Sequence, residues 1–215
     1  SELHAEFVPA QDERIIADLR RAGAIVLGKT NTPEFGAGAN TTNRVYGPTG
    51  NPFDPARICG GSSGGSAVAL ACGMVPIATG SDTGGSLRTP ASFCGVAAHR
   101  GTPGLVPSHR RVIGLTTYNV PVPMARNVPD AALMLSVMAS NLSCDPLAGP
   151  VEPAAFAQLA EVDLSRLRVA WSTDLGSVPV DHTIACLFAE RVESVASAFH
   201  SCERRDPDMS RALAI

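Results

Sequence analysis

Residues 60–88 read GGSSGGSAVALACGMVPIATGSDTGGSLR and hold two glycine–serine clusters, Gly60–Ser66 and Gly80–Ser86. Between them lie nine small and apolar residues with helical spacing, Ser66–Met74, then an apolar run suited to a buried strand, Val75–Thr79. A helix that packs back on its following strand would bring the two clusters together. Glycines beside serines allow tight turns and close approach of a substrate to the backbone. Thr83-Gly84-Gly85-Ser86 precedes a predicted helix over Ser86–Phe93, so successive backbone N–H groups would converge on one spot, as in an oxyanion hole. The blander reading is two tight turns with serine caps. One cluster alone would favour it; two, followed by Arg88-Thr89-Pro90-Ala91, favour chemistry.

Working outward, Ile15, Ile16 and Leu19 give Asp12–Ala22 a helical period, and Gly23 stops it. Ala24–Leu27 reads as a short buried strand. Gly28–Cys59, rich in Gly, Pro, Asn and Thr, reads as a long loop region. Val96–Arg100 suits another strand, and residues 101–122 are again turn-rich. Val128–Ala139 is predicted helical, with Pro129 in the first turn, where its missing N–H costs nothing. Residues 142–162 read as a proline-bearing linker, Leu167–Trp171 as a strand and His182–Phe199 as an amphipathic helix. Helices alternating with short buried strands indicate an α/β protein, a mixed or largely parallel sheet flanked by helices.

The 215 residues are 45% hydrophobic and 17% charged, with net charge -3, so a sizeable core is expected and global disorder is not. No run of Lys or Arg suggests nucleic acid or an anionic membrane. The longest apolar stretch, around 67–78, is too short to span a bilayer. Six cysteines without CxxC spacing read as reduced, structural thiols of a cytoplasmic protein, Cys72 among them as a small hydrophobe. His4, His99, His109, His182 and His200 show no HExxH spacing, and neither a metal nor a cofactor is expected.

Gly23–Thr30, GAIVLGKT, fits the letters of a phosphate-binding loop. The mechanism needs a loop of exposed N–H groups that follows a strand and opens a helix. Here the four middle residues are apolar and want burial, and the order is helix, strand, then Gly-Lys-Thr. Nucleotide binding is therefore a distant alternative.

The two clusters, nearly letter for letter, resemble the hallmark of the amidase-signature family. The resemblance extends to Ala22–Asn31 with Pro33-Glu34-Phe35, to Asn51–Arg57, and to Pro123-Met124-Ala125-Arg126 before a helix. It covers most of residues 12–140 and, more loosely, 163–200, so the chain is expected to be the partial core of one amidase-signature domain. It implies cleavage of a carboxamide C–N bond through a serine acyl-enzyme and a Ser–Ser–Lys triad. Ser86 would be the nucleophile and Ser62 the bridging serine, reached through a cis peptide bond. The N–H groups of Thr83, Gly84, Gly85 and Ser86 would form the oxyanion hole, with Asp82 and Arg88 in support. A serine hydroxyl attacks poorly until a base takes its proton, and a desolvated lysine reached through a second serine can do so. The one lysine of the sequence, Lys29, matches a non-catalytic family position, which implies that the base lies outside these residues and that they are inactive alone. Gly101 stands where the family usually has proline, and Val122 where it commonly has glycine. The implied partner is a small-molecule amide. A homodimer stays open, as does the choice between a free amidase and the amide-cleaving component of an amidotransferase. A catalytically inactive relative acting as a binding module is the alternative.

Overall fold

The structure, a computed structural model, describes residues 1–108, 115–141 and 145–210. Its first unit, Ser1–Leu159, opens with helix α1 (Arg14–Arg21), followed by a small hairpin of β1 (Thr42–Asn43) and β2 (Gly47–Pro48). Then come α2 (Gly64–Ala71), β3 (Ile77–Asp82), α3 (Arg88–Cys94), β4 (Ala97–Ala98), β5 (Val120–Ala125) and α4 (Val128–Met138). The helix–strand–turn–helix order read from residues 60–94 is the one observed. Pro129 does sit in the first turn of α4, and Asn127 caps that helix by accepting the Asp130 N–H at 2.8 Å.

The three-stranded sheet has the order β3-β5-β4, every pair antiparallel. Its central strand departs from the expected turn: Val120-Pro121-Val122-Pro123 reads as turn because proline cannot donate to a ladder. Successive N–H groups of a strand point to opposite edges, so Pro121 and Pro123 remove donors from a single edge. β3 runs along all six residues of β5, whereas β4 reaches only Met124 and Ala125. One edge of β5 is thus nearly uncovered, and the prolines are tolerated there. Val122, where a glycine would be usual for the resemblance, is 1% exposed and fills the core.

Each face of the sheet is covered. Val120, Val122 and Met124 pack with Ala67 and Leu70 of α2, with Leu87 just before α3, and with Ala91 and Cys94 of α3. A second cluster joins Leu19 of α1 to Met134, Leu135 and Met138 of α4, with Ile77 against it. Both clusters bury alternate or helically spaced apolar residues, which is why the two periods are legible. The result is a rigid platform whose β3–α3 corner carries the second serine cluster.

One expectation about the strands is corrected. Ala24–Leu27 is not a buried strand. Ile25 is 84% and Leu27 72% exposed, and the run's backbone bond is that from Ala24 N–H to Leu19 O, 2.9 Å. The run is apolar as expected, but no strand among the described residues lies beside it, and a strand needs a neighbour to bury its face and pair its backbone. The expected linker, 142–162, packs against the first unit over part of its described length. Asp145 is 2% exposed and accepts the Ser108 N–H at 2.8 Å, while Val151 and Phe156 pack on the α1–α4 cluster. The change of unit, at Leu159–Ala160, falls within this stretch. Residues 142–144 lie outside the described residues.

The second unit, from Ala160, is a strand–helix–strand of β6 (Arg168–Trp171), α5 (His182–Val195) and β7 (Ser201–Arg204), its two strands parallel. Asp181 caps α5 through the Thr183 N–H at 2.9 Å, and Phe188 meets Trp171 edge to face with ring centroids 6.0 Å apart. Antiparallel and parallel pairing therefore both occur, as a mixed α/β protein requires.

Candidate active site

The first serine cluster leads into α2, with Ser63 at its N-cap position. The Gly61–Ser62 peptide bond is cis, the one such bond among the described residues. The clusters' neighbouring hydroxyls are spoken for. Ser63 Oγ donates to Ser81 O (3.2 Å) and accepts the Ser81 N–H (3.1 Å), which sews the start of α2 to β3. Ser66 Oγ donates to Thr79 O at 2.9 Å and shares a 2.9 Å bond with Thr30 Oγ1. Thr41 Oγ1 donates to Gly60 O (2.9 Å) and accepts the Gly64 N–H (3.1 Å). Gly65 is glycine because a β-carbon there would lie 2.6 Å from the backbone N of Asn31. Asn31 in turn ties this layer to the hairpin through Thr49 Oγ1 (2.9 Å).

The second cluster is organised by Asp82, whose side chain is fully buried at the end of β3. Its Oδ1 accepts the Gly85 N–H (2.9 Å) and its Oδ2 the N–H groups of Leu87 and Arg88 (both 3.3 Å). The Arg88 guanidinium grips both oxygens, Nε to Oδ2 at 2.9 Å and Nη2 to Oδ1 at 3.0 Å. Arg100 Nη1 adds a bond to Oδ1 at 3.3 Å. Gly85, at φ +111°, takes a backbone conformation that a side chain would strain, and this lets the turn wrap the carboxylate. Burial pushes the Asp82 carboxyl up, but the Arg88 guanidinium and the three backbone N–H groups outweigh it and hold the group well below the usual carboxylate range.

Since the folded value is depressed, the ionised group's stabilisation is complete above the unfolded pKa of about 3.9 and drains away as pH falls through the folded value. Asp82→Asn keeps the shape but turns a donor amide towards donors. We expect it to cost about 3 kcal/mol at neutral pH. The gap in melting temperature from the parent should narrow steadily below about pH 4, read by thermal melts between neutral and strongly acidic pH.

The two clusters meet: the Ser63 N–H donates to Ser86 O at 3.0 Å. Beside this link, the hydroxyls of Ser62, 6% exposed, and of Ser86, half-buried, hold no hydrogen bond among the described residues. They are not bonded directly to each other. The N–H groups of Thr83, Gly84 and Ser86 also donate to nothing among the described residues, whereas that of Gly85 is engaged by Asp82. Among the described residues this corner thus holds two hydroxyls and three N–H donors without a partner.

Lys29 is exposed. The Gly-Lys-Thr sequence opens no α-helix, and the Thr30 hydroxyl is engaged by Ser66, so residues 23–30 lack the geometry of a phosphate cradle. No three His, Cys, Asp or Glu side chains converge among the described residues, and no helix there is long and apolar enough to cross a membrane. Cys59 and Cys94 are buried in the α2–α3 core, and burial chiefly, then the nearby Cys59 and Cys72, pushes the Cys94 thiol up to about 11. Cys72, expected in the core, is instead exposed at the end of α2. His109 and Cys144 lie outside the described residues.

Sequence reasoning missed Thr41, Asn31 and Arg100. The first two are ordinary polar loop residues, and nothing local marks them. Arg100 had a signal: a charged residue closing the short apolar run Val96–Ala98 must find a partner near the sheet.

The chain belongs to the amidase family, whose model matches residues 1–213. It is 49% identical over 153 residues to a glutamyl-tRNA(Gln) amidotransferase subunit of Thermus thermophilus, 68% of this chain and 31% of that protein. It is 40% identical over 203 residues to the same subunit of Natronomonas pharaonis, 92% of this chain and 47% of the relative. Its fold is similar to the crystal structure of that subunit from Thermotoga maritima (TM-score 0.82, 31% identity, 97% of this chain and 46% of the other). It is equally similar to a 6-aminohexanoate cyclic dimer hydrolase solved with substrate (TM-score 0.82, 30% identity, 96% and 44%). The chain thus spans a third to under half of the relatives it matches.

Proposed function

We propose that residues 60–88 form the catalytic corner of an amide hydrolase. Ser86 attacks the carboxamide carbon, Ser62 relays the proton, and the N–H groups of Thr83, Gly84 and Ser86 stabilise the tetrahedral oxyanion. Gly85, fourth in the expected donor set, is the least available because its N–H serves Asp82. Asp82 and Arg88 act by holding the turn. The observation that carries this reading is the backbone bond from Ser63 N–H to Ser86 O, which joins the two clusters, with the Ser62 and Ser86 hydroxyls unbonded among the described residues while Ser63 and Ser66 are engaged. Lys29 is not the base of the triad: its side chain is exposed and bonds to neither Ser62 nor Ser86. The substrate is a small-molecule amide or, as the amidotransferase relatives suggest, the amide donor of a larger assembly.

The test is covalent labelling of a hydrolytically active form of the protein with a fluorophosphonate probe, followed by peptide mapping. The label should sit on Ser86, and a label on any other serine would refute the assignment. Lys29→Ala should leave kcat unchanged within about twofold; a loss on the scale of general-base catalysis, about 10²–10⁴-fold, would make Lys29 the base.

A further inference from the structure

Arg100 is the more buried of the two cations on Asp82, its side chain 25% exposed against 58% for Arg88. It also does something Arg88 does not. Its Nη1 donates to the main-chain carbonyl of Asp82 at 2.6 Å and to the carbonyl of Tyr118 at 3.1 Å. One nitrogen therefore joins the end of β3 to the segment that leads into β5. The Asp82 carbonyl belongs to the peptide unit whose N–H is that of Thr83. That unit is trans, and in a trans peptide the C=O and N–H point in opposite directions. Fixing the carbonyl towards Arg100 consequently fixes the Thr83 N–H away from it.

We propose that Arg100 is a positioning residue that sets the Asp82–Thr83 peptide plane and so aims the Thr83 N–H, the first donor of the turn, at the developing oxyanion. This rests on the reading of residues 83–86 as an oxyanion hole. Arg88 binds the carboxylate alone and steadies the turn's far side, through Leu87 and the start of α3. Arg100 controls the near side. The charge on Asp82 is met twice over, but its carbonyl, at the end of the ladder opposite Val120, takes a side-chain donor from Arg100 and none from Arg88. A misaimed donor weakens transition-state binding and leaves ground-state binding nearly untouched, since the ground-state carbonyl oxygen carries little charge.

The experiment compares Arg100→Met, Arg100→Lys and Ser86→Ala in a hydrolytically active form of the protein, with active sites titrated by the fluorophosphonate probe. We expect Arg100→Met to lower kcat per titrated site about 10–100-fold with KM within about twofold, short of the 10²–10³-fold seen when a donor is deleted outright. Arg100→Lys, which can still donate to the Asp82 carbonyl, should recover much of that loss. If Arg100→Met only lowers the melting temperature and the titrated fraction, with kcat per site unchanged, Arg100 is structural and the inference falls. So it does if lysine rescues no better than methionine. Should Arg100→Met prove too unstable to titrate, Arg100→Gln, too short to reach both carbonyls, takes its place and is read by the same criteria. Retained activity in Ser86→Ala would instead sink the active-site assignment, a result distinct from either.

Discussion

Ser86→Ala is expected to abolish amide hydrolysis, with a fall in kcat on the order of 10⁴–10⁶-fold, the range lost when a serine nucleophile is deleted. The Ser86 hydroxyl carries no structural hydrogen bond among the described residues, and its backbone carbonyl, the acceptor of the Ser63 N–H, is retained in alanine. The turn should therefore survive with its donors in place. Three measurements check this: steady-state hydrolysis of a simple amide, loss of fluorophosphonate labelling, and an unshifted melting temperature. Turnover unchanged in the variant would end the assignment. Some residual rate above water is anticipated, because oxyanion donors and binding still act when the nucleophile is gone.

Ser62→Ala should be the second largest effect, roughly 10²–10⁴-fold on the acylation rate, the range of general-base assistance. Ser62 is buried, and its carbonyl oxygen accepts from Thr41 Oγ1 at 3.5 Å, while its hydroxyl holds no bond among the described residues. Alanine fills the same space without orphaning a partner, so the fold is preserved while the proton relay is cut. Pre-steady-state acylation of an activated ester and of an amide should separate the roles. The amide, whose leaving group also needs a proton, is expected to suffer more than the ester. Equal and small effects on both would remove Ser62 from the mechanism. Ser63 provides the contrast: its hydroxyl binds Ser81 at 3.1 and 3.2 Å, so it belongs to the scaffold.

Much of the candidate site is legible in the sequence because its elements are local. The glycine–serine clusters, the helix and strand between them, and the polar pair Asp82 and Arg88 lie within 29 consecutive residues. Helix α4 follows from its apolar spacing and from Pro129 at a position that suits proline. Strand β5 does not, because whether a proline harms a ladder depends on which edge is paired, and pairing is a long-range property. Ala24–Leu27 fails in the opposite sense. Its composition is that of a strand, yet strand formation requires a neighbour, and none lies beside it among the described residues.

The sequence by itself determined the alternation of helices and strands, the tight turns at both clusters, and which residue types are available for nucleophilic chemistry. Those follow from periodicity and backbone sterics, which act over a few residues. Only the tertiary structure decided which of several serines is free, because that depends on acceptors brought from elsewhere. Thr79 and Thr30 engage Ser66, Ser81 engages Ser63, and among the described residues the hydroxyls of Ser62 and Ser86 are left over. It also decided the fate of the turn's donors. A buried carboxylate must be satisfied from all sides, and Asp82 recruits the Gly85 N–H and, through Arg100, a residue 18 positions away whose bond to the Asp82 carbonyl no local pattern announces.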